Sequence, residues 1–231
     1  MNVIDPTTRR PTRPQLVLAS SSPSRAALLR GAGVEPLVQS ADVAEDAVLA
    51  EHTATHGPAS VAESVQLLAT AKAEAVAAQL WPDGPLRPVG DQPTAPTAVL
   101  GCDSLLEVDG EGLGKPHTAE RARERWRRIR GRSGVLHTGH QLITAAGRAA
   151  GTSSTTVHFA DVSDAEIEAY VATGEPLEVA GAFTIEGYGG AFISGIEGDH
   201  HGVLGLSLPL LRELLPAVGL SWTDLWQPPA R

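Results

Sequence analysis

The chain has 231 residues, 42% of them hydrophobic, a formal net charge of −9 and one cysteine, Cys102. This size and apolar content suit one large domain or two joined lobes and exclude a disordered chain. The acidic balance excludes whole-surface attraction to nucleic acid or anionic membrane, and a single cysteine excludes an internal disulfide. A polyanionic substrate would therefore need positive charge gathered locally. No apolar run reaches the length of a bilayer span, and the arginines and prolines of 1–14 lead into no apolar stretch. A flexible arm over 1–14 and a cytoplasmic protein are expected.

Gln15 to Ala19 is a short apolar run that predicts a buried strand. It enters Ser20-Ser21-Ser22, where Ser22 as N-cap and Pro23 at the first helical position predict a helix over 24–30, stopped by Gly31 and Gly33. Strand, polar loop and helix in that order point free backbone N–H groups at an anion, and Arg25 would add a cation. An ordinary serine-rich turn explains the same residues equally well. A second strand is expected over 36–40, followed by an acidic stretch from Asp42 to Asp46. Val61, Val65, Leu68, Lys72 and Val76 recur every three or four residues and predict a helix over 58–80. Prolines and glycines crowd 81–97, which reads as an inserted loop.

Ala98 to Gly101 predicts another buried strand, ending at Cys102-Asp103-Ser104. Asp109-Gly110 predicts a hairpin from 105–108 into Gly112-Leu113-Gly114-Lys115. A helix over 118–130 sets Ala122, Trp126 and Ile129 on one face. Its flank carries seven arginines from Arg121 to Arg132, balanced by Glu120 and Glu124, and reads as a solvated face and not a nucleic-acid surface. Two long strands, 134–144 and 151–159, are expected to meet at a turn centred on Gly147. Ser163 and Glu166 form a capping box opening a helix to Thr173. Strands near 182–185 and 191–196, a helix over 208–218 and a tail over 219–231 complete the chain. Alternating strands and helices with no repeat favour an α/β fold.

Several side chains could carry chemistry. Asp103 directly follows an apolar strand, where open α/β sheets present ligand groups, and could hold a divalent cation or take a proton from water. An Asx-turn accounts for it as readily. Lys72 and Lys115 would each be read alone as solvated lysines, yet with Arg25 they would supply the local positive charge that the chain otherwise lacks. His137 and His140, three apart on a strand, point to opposite faces. His200 and His201 are expected to diverge on extended chain, a surface loop and not a zinc site. No P-loop signature is present.

The order of the short motifs carries more than any one of them. Leu16-Val-Leu-Ala-Ser-Ser-Ser-Pro-Ser-Arg25, Ala71-Lys72-Ala73, Gly101-Cys-Asp103-Ser104, Gly114-Lys115-Pro116, His137-Thr-Gly139, Thr173-Gly-Glu-Pro176, Ala180-Gly-Ala-Phe183, Ile185-Glu-Gly187 and Ile196-Glu-Gly198 follow one another. Together they resemble the Maf family of nucleoside triphosphate pyrophosphatases, over about 15–215 without the 81–97 insertion. The resemblance implies one domain over 15–218, a two-lobed α/β fold around a long mixed β-sheet with flanking helices, and a central nucleotide cleft. It implies cleavage of a nucleoside triphosphate between the α- and β-phosphates with Mg2+ or Mn2+, in a house-cleaning role.

Carried over by position, Asp103 would be the proton acceptor, and Ser20, Ser22, Arg25, Lys72 and Lys115 would bind phosphate. Glu45 and Asp103 would be the metal ligands, and Ser24, Ser104 and Glu186 the base-selecting positions. Ser24 stands where many relatives keep a second arginine, Ser104 where many have threonine, and Val179 where lysine is frequent. Glu186 could accept hydrogen bonds from an amino-bearing or cationic base. A nucleotide is the implied partner, with no nucleic acid or membrane, and a homodimer remains open. The family's link to septum formation leaves a regulatory binder, associated with cell-division arrest, as a competing reading. A pyrophosphatase acting on inosine or xanthosine triphosphate is another.

Overall fold

A computed structural model describes residues 13–40, 42–81 and 97–227. Most of the expected arm, residues 82–96 of the expected insertion and the last four residues lie outside the described residues. The insertion's expected ends do not belong to it: Trp81 is buried against the helix that precedes it, and Thr97 opens a strand. The elements are β1 (Gln15–Ala19), α1 (Pro23–Gly31), β2 (Leu37–Val38), α2 (Glu45–His56), α3 (Val61–Leu80), β3 (Thr97–Val108), β4 (Glu111–Leu113), α4 (Ala119–Ile129), β5 (Ser133–Thr144), β6 (Gly147–Phe159), α5 (Asp164–Ala172), β7 (Ile193–Glu197), α6 (His200–Val203) and α7 (Leu208–Leu214). The strands form one seven-stranded mixed sheet in the order β2-β1-β3-β5-β6-β7, with β4 paired to β3. β1 runs parallel to β2 and β3, and the remaining pairings are antiparallel.

Strand alternation sorts the core. Leu16, Leu18, Leu100 and Cys102 face α1 and α7, meeting Ala26, Leu29, Leu211 and Leu215. Val17, Ala19 and Val99 turn to the other side and pack on Ala73, Val76 and Ala77 of α3. A further core gathers farther along the long strands, where Leu106, Leu136, Val157 and Phe159 meet Trp126 and Ile129 of α4 and Ile167 and Tyr170 of α5. Trp126 stands edge-on to Phe159, Tyr170 and Phe192, and its indole N–H donates to the Ala182 carbonyl at 2.8 Å.

Two glycines set how closely α3 approaches the sheet. A Cβ on Gly101 would stand 2.2 Å from the Ala69 carbonyl oxygen, and one on Gly139 would stand 2.4 Å from that of Val65. Gly139 pairs with Asp103 across β3 and β5. Bare backbone at both positions lets the helix lie against the strands at backbone contact. That approach brings a side chain of α3 onto the middle of β3.

Several elements differ from expectation. β3 does not end at Gly101 but runs on to Val108, because the polar residues read as its terminus are satisfied inside the strand. The hairpin turn between β5 and β6 is Ala145-Ala146, and Gly147 is already paired with Thr144. No strand forms over 182–185. Gly181 and Ala182 take left-handed φ values of 72° and 64°, which break an extended run, and short 3-10 turns cover Glu175–Glu178, Ala180–Ala182 and Tyr188–Phe192. Helix α2 was not anticipated, since it buries no residue and so carries no apolar stripe. The final helix stops at Leu214 and tightens into a 3-10 turn over Leu215–Val218. Past it, Leu220 and Leu225 of the expected tail join the core.

The arginine-rich flank is solvated, and of the two expected partners Glu120 pairs with Arg123 at 3.6 Å, while the shorter pairs reach other elements. Arg123 pairs with Glu168, Arg130 with Asp164 and Arg132 with Asp109, each at 2.7 Å, and Arg128 with Glu111. Exposed pairs of this kind contribute little individually. Among the described residues no helix is long and apolar enough to cross a membrane.

Candidate active site

The parallel pairing of β1 with β3 ends at Ala19 and Gly101, and the chain then turns into the serine loop. Ser22 caps α1 by accepting from the Arg25 N–H, with Pro23 in the first turn as expected. Arg25 points back under the loop and is 9% exposed. Its Nε donates to the Gly205 carbonyl at 2.6 Å, Nη1 to Ser20 Oγ and the Cys102 carbonyl at 2.9 Å each, and Nη2 to Ser104 Oγ at 2.9 Å. A guanidinium carries five N–H donors. Four are thus directed at the protein itself, which leaves one for a phosphate. Ser20 Oγ also accepts from the Ser22 N–H at 3.2 Å, and Ser104 Oγ shares a hydrogen bond with Thr138 Oγ1 at 2.9 Å. Arg25 is the tie that joins the serine loop, β3 and the 205 loop.

On the opposite face of β3, Asp103 meets α3. Lys72 Nζ lies 2.5 Å from Asp103 Oδ1 and 2.7 Å from Glu45 Oε1 at the start of α2. Burial pushes the Asp103 carboxyl above its ordinary value, against the pull of Lys72 and Arg25. A desolvated carboxylate of raised proton affinity suits proton transfer near neutral pH better than an exposed one. Cys102, beside it, is fully buried and its thiol is pushed up to about 12 by burial, so it packs and does not react.

A cleft of about 650 Å³ opens over these groups, and a typical small-molecule site has this size. It is lined by all ten residues singled out from sequence: Ser20, Ser22, Ser24, Arg25, Glu45, Lys72, Asp103, Ser104, Lys115 and Glu186. Lys115 is half exposed and lies 3.7 Å from Glu178, which also lies 3.4 Å from His117 Nδ1. Phe183, Thr184 and Leu136 add an apolar and hydroxylic stretch of wall beside Glu186. Glu178 and His117 also line the cleft, although no motif marks them. A signal existed for His117 only in its neighbours, since its left-handed φ of 62° cannot be read from residue type.

The histidines resolve separately. His137 and His140 do face opposite ways: His137 bonds Ser154 and Glu107, while His140 is buried between the Thr138 carbonyl and the Ser207 N–H. His200 and His201 do not diverge. They sit on the helical turn of α6 with ring centroids 3.8 Å apart, and with Asp199 their ligand atoms lie within 4.8 Å. Asp199, however, is committed as the cap of that turn, accepting from the His201 and Gly202 N–H groups.

A family model described as "Maf-like protein" matches residues 15–218. A Leifsonia xyli protein is 51% identical over 92% of this chain and 96% of its own length. One from Salinispora tropica is 52% identical over 92% and 87%, and one from Streptomyces coelicolor 50% identical over 94% and 96%. Each of these relatives bears the name nucleoside triphosphate pyrophosphatase. With the serine loop, Lys72, Asp103 and Lys115 lining one cleft in the order the motifs require, the chain belongs to the Maf family.

Proposed function

We propose that this protein hydrolyses a nucleoside triphosphate to its monophosphate and pyrophosphate, a reading supported by the name nucleoside triphosphate pyrophosphatase that its relatives bear. The observation that carries this reading is the pairing, within one nucleotide-sized cleft, of a buried carboxylate at Asp103 with the Lys72 ammonium at 2.5 Å. Asp103 accepts a proton from water as its oxygen attacks the α-phosphorus. The bond to the oxygen bridging the α- and β-phosphates breaks, and pyrophosphate leaves. Lys72, Lys115 and the hydroxyls and N–H groups of the serine loop bind the phosphate oxygens, with one donor from Arg25. Ser24, Ser104 and Glu186 meet the nucleoside, and an exposed carboxylate at 186 favours a base bearing an amino group or a positive charge.

The residues present fit a divalent cation. Glu45 and Asp103 converge on a single ammonium, and paired carboxylate oxygens are the donor set that Mg2+ or Mn2+ prefers. When bound there, the ion would neutralise charge on the phosphate oxygens. Glu45 and Asp103 would hold it. Cytoplasmic housekeeping of the nucleotide pool is the setting that this activity implies.

The test is pyrophosphate release from a panel of standard and modified triphosphates, with the metal varied. Asp103→Asn keeps the shape of the side chain and should lose more than about 100-fold in rate. Equal turnover by wild type and variant would remove Asp103 from the chemistry. Inertness of both on every nucleotide would favour the regulatory binder.

A further inference from the structure

The segment carrying Glu186 has no regular structure, yet it is pinned by one side chain to which the sequence reading gave no role. Glu175 Oε1 accepts from Thr184 Oγ1 at 2.6 Å, from Tyr170 Oη at 3.0 Å and from the Gly189 N–H at 3.0 Å. Glu175 Oε2 accepts from the Tyr188 N–H at 3.0 Å. The backbone closes directly over this carboxylate, since a Cβ on Gly187 would stand 2.2 Å from Oε2 and one on Gly189 would stand 2.4 Å from Tyr170 Oη. Burial raises the Glu175 carboxyl, but the four donors outweigh it and hold the group ionised. Tyr170 is anchored in turn against Trp126 and Phe192. Glu175 therefore ties a loop on the cleft wall to the rigid aromatic core.

We infer that Glu175 is a positioning residue that sets base preference, by fixing the 184–189 segment and with it the placement of Thr184 and Glu186 in the cleft. It rests on the reading that Glu186 meets the base. Glu175 itself does not line the cleft. Glutamine at 175 can keep the three bonds to Oε1 only by turning its NH2 toward the Tyr188 N–H, donor against donor, two residues from Glu186.

The experiment measures kcat and KM for ATP, GTP, CTP, UTP, dTTP and 7-methyl-GTP with wild type, Glu175→Gln and Glu186→Gln, and inhibition by inorganic tripolyphosphate, which has no base. Glu175→Gln should compress the ratio of kcat/KM between best and poorest nucleotide by roughly tenfold. The loss should fall in KM of the preferred nucleotide, with tripolyphosphate inhibition unchanged. An unchanged ratio overturns the proposal. So does an equal fall in kcat on every nucleotide with weaker tripolyphosphate inhibition, the mark of a cleft that has merely loosened. If Glu186→Gln leaves the ratio unchanged while Glu175→Gln compresses it, the reading of Glu186 fails and the positioning role stands through Thr184. Should Glu175→Gln not fold, Tyr170→Phe removes one donor and keeps the ring. A ratio compressed several-fold then supports the proposal, and an unmoved ratio overturns it.

Discussion

Gly101→Ala tests whether the close approach of α3 builds the site. The added Cβ would lie 2.2 Å from the Ala69 carbonyl oxygen, 2.8 Å from the Ala73 nitrogen and 2.9 Å from Ala73 Cβ. Two of these are backbone atoms of α3, so no side-chain rotation relieves the contact. The helix must retreat by about 1 Å to reach ordinary van der Waals distance, and overpacking of this kind costs about 1–3 kcal/mol. Lys72 rides on that helix, three residues past Ala69, so its 2.5 Å contact with Asp103 lengthens with it. A misplacement of about 1 Å at a reacting group can cost about 100-fold in rate. Urea denaturation gives the stability term and kcat/KM the catalytic one. Gly31→Ala is the control, because a Cβ there meets nothing within 4 Å and the residue lies in helix α1. The reasoning is refuted if Gly101→Ala unfolds at the wild-type midpoint and turns over substrate at the wild-type rate.

Arg25→Ala would leave the buried Gly205 and Cys102 carbonyls without their donor, at about 1–3 kcal/mol each. Urea unfolding should show a loss of at least about 2 kcal/mol, and a change confined to KM would mean that Arg25 serves phosphate alone. His140 is buried as the neutral ring, donating from Nδ1 to the Thr138 carbonyl and accepting the Ser207 N–H at Nε2, and burial lowers it to about 4. The unfolded state therefore binds its proton first as pH falls below the ordinary histidine value near 6.5. Its contribution is complete above that value and is lost on acidification toward pH 4, to a total of about 3 kcal/mol. Denaturation at neutral and acidic pH should show a shallower acid loss in His140→Gln than in wild type, and equal slopes would contradict the assignment.

Much of this molecule is written locally in its sequence, and the parts that are not have physical reasons. The cap at Ser22, the capping box at Ser163 and the apolar face of α4 depend on residues a turn apart, and they form as expected. Asp103 was placed at the end of a strand because a charge seldom sits inside one. Its position in the middle of β3 depends on Lys72, 31 residues away in sequence, which satisfies it. Arg25 illustrates the same limit: its type and place after the loop suggest an anion site, while the partners it holds at Cys102, Ser104 and Gly205 come from distant segments. Left-handed Gly181 and Ala182 broke an expected strand by backbone conformation that apolar patterning does not report. The ordered motifs, by contrast, were legible as a set: nine of the ten site residues lie in them, Glu45 being the exception, and all ten line one cleft.

The most direct test of the central claim is hydrolysis of the preferred triphosphate in heavy-oxygen water, with the products separated and weighed by mass spectrometry. Attack at the α-phosphorus, with Asp103 taking the proton, places the heavy atom in the nucleoside monophosphate and leaves pyrophosphate unlabelled. Label in pyrophosphate, or nucleoside diphosphate with labelled orthophosphate, would contradict the account.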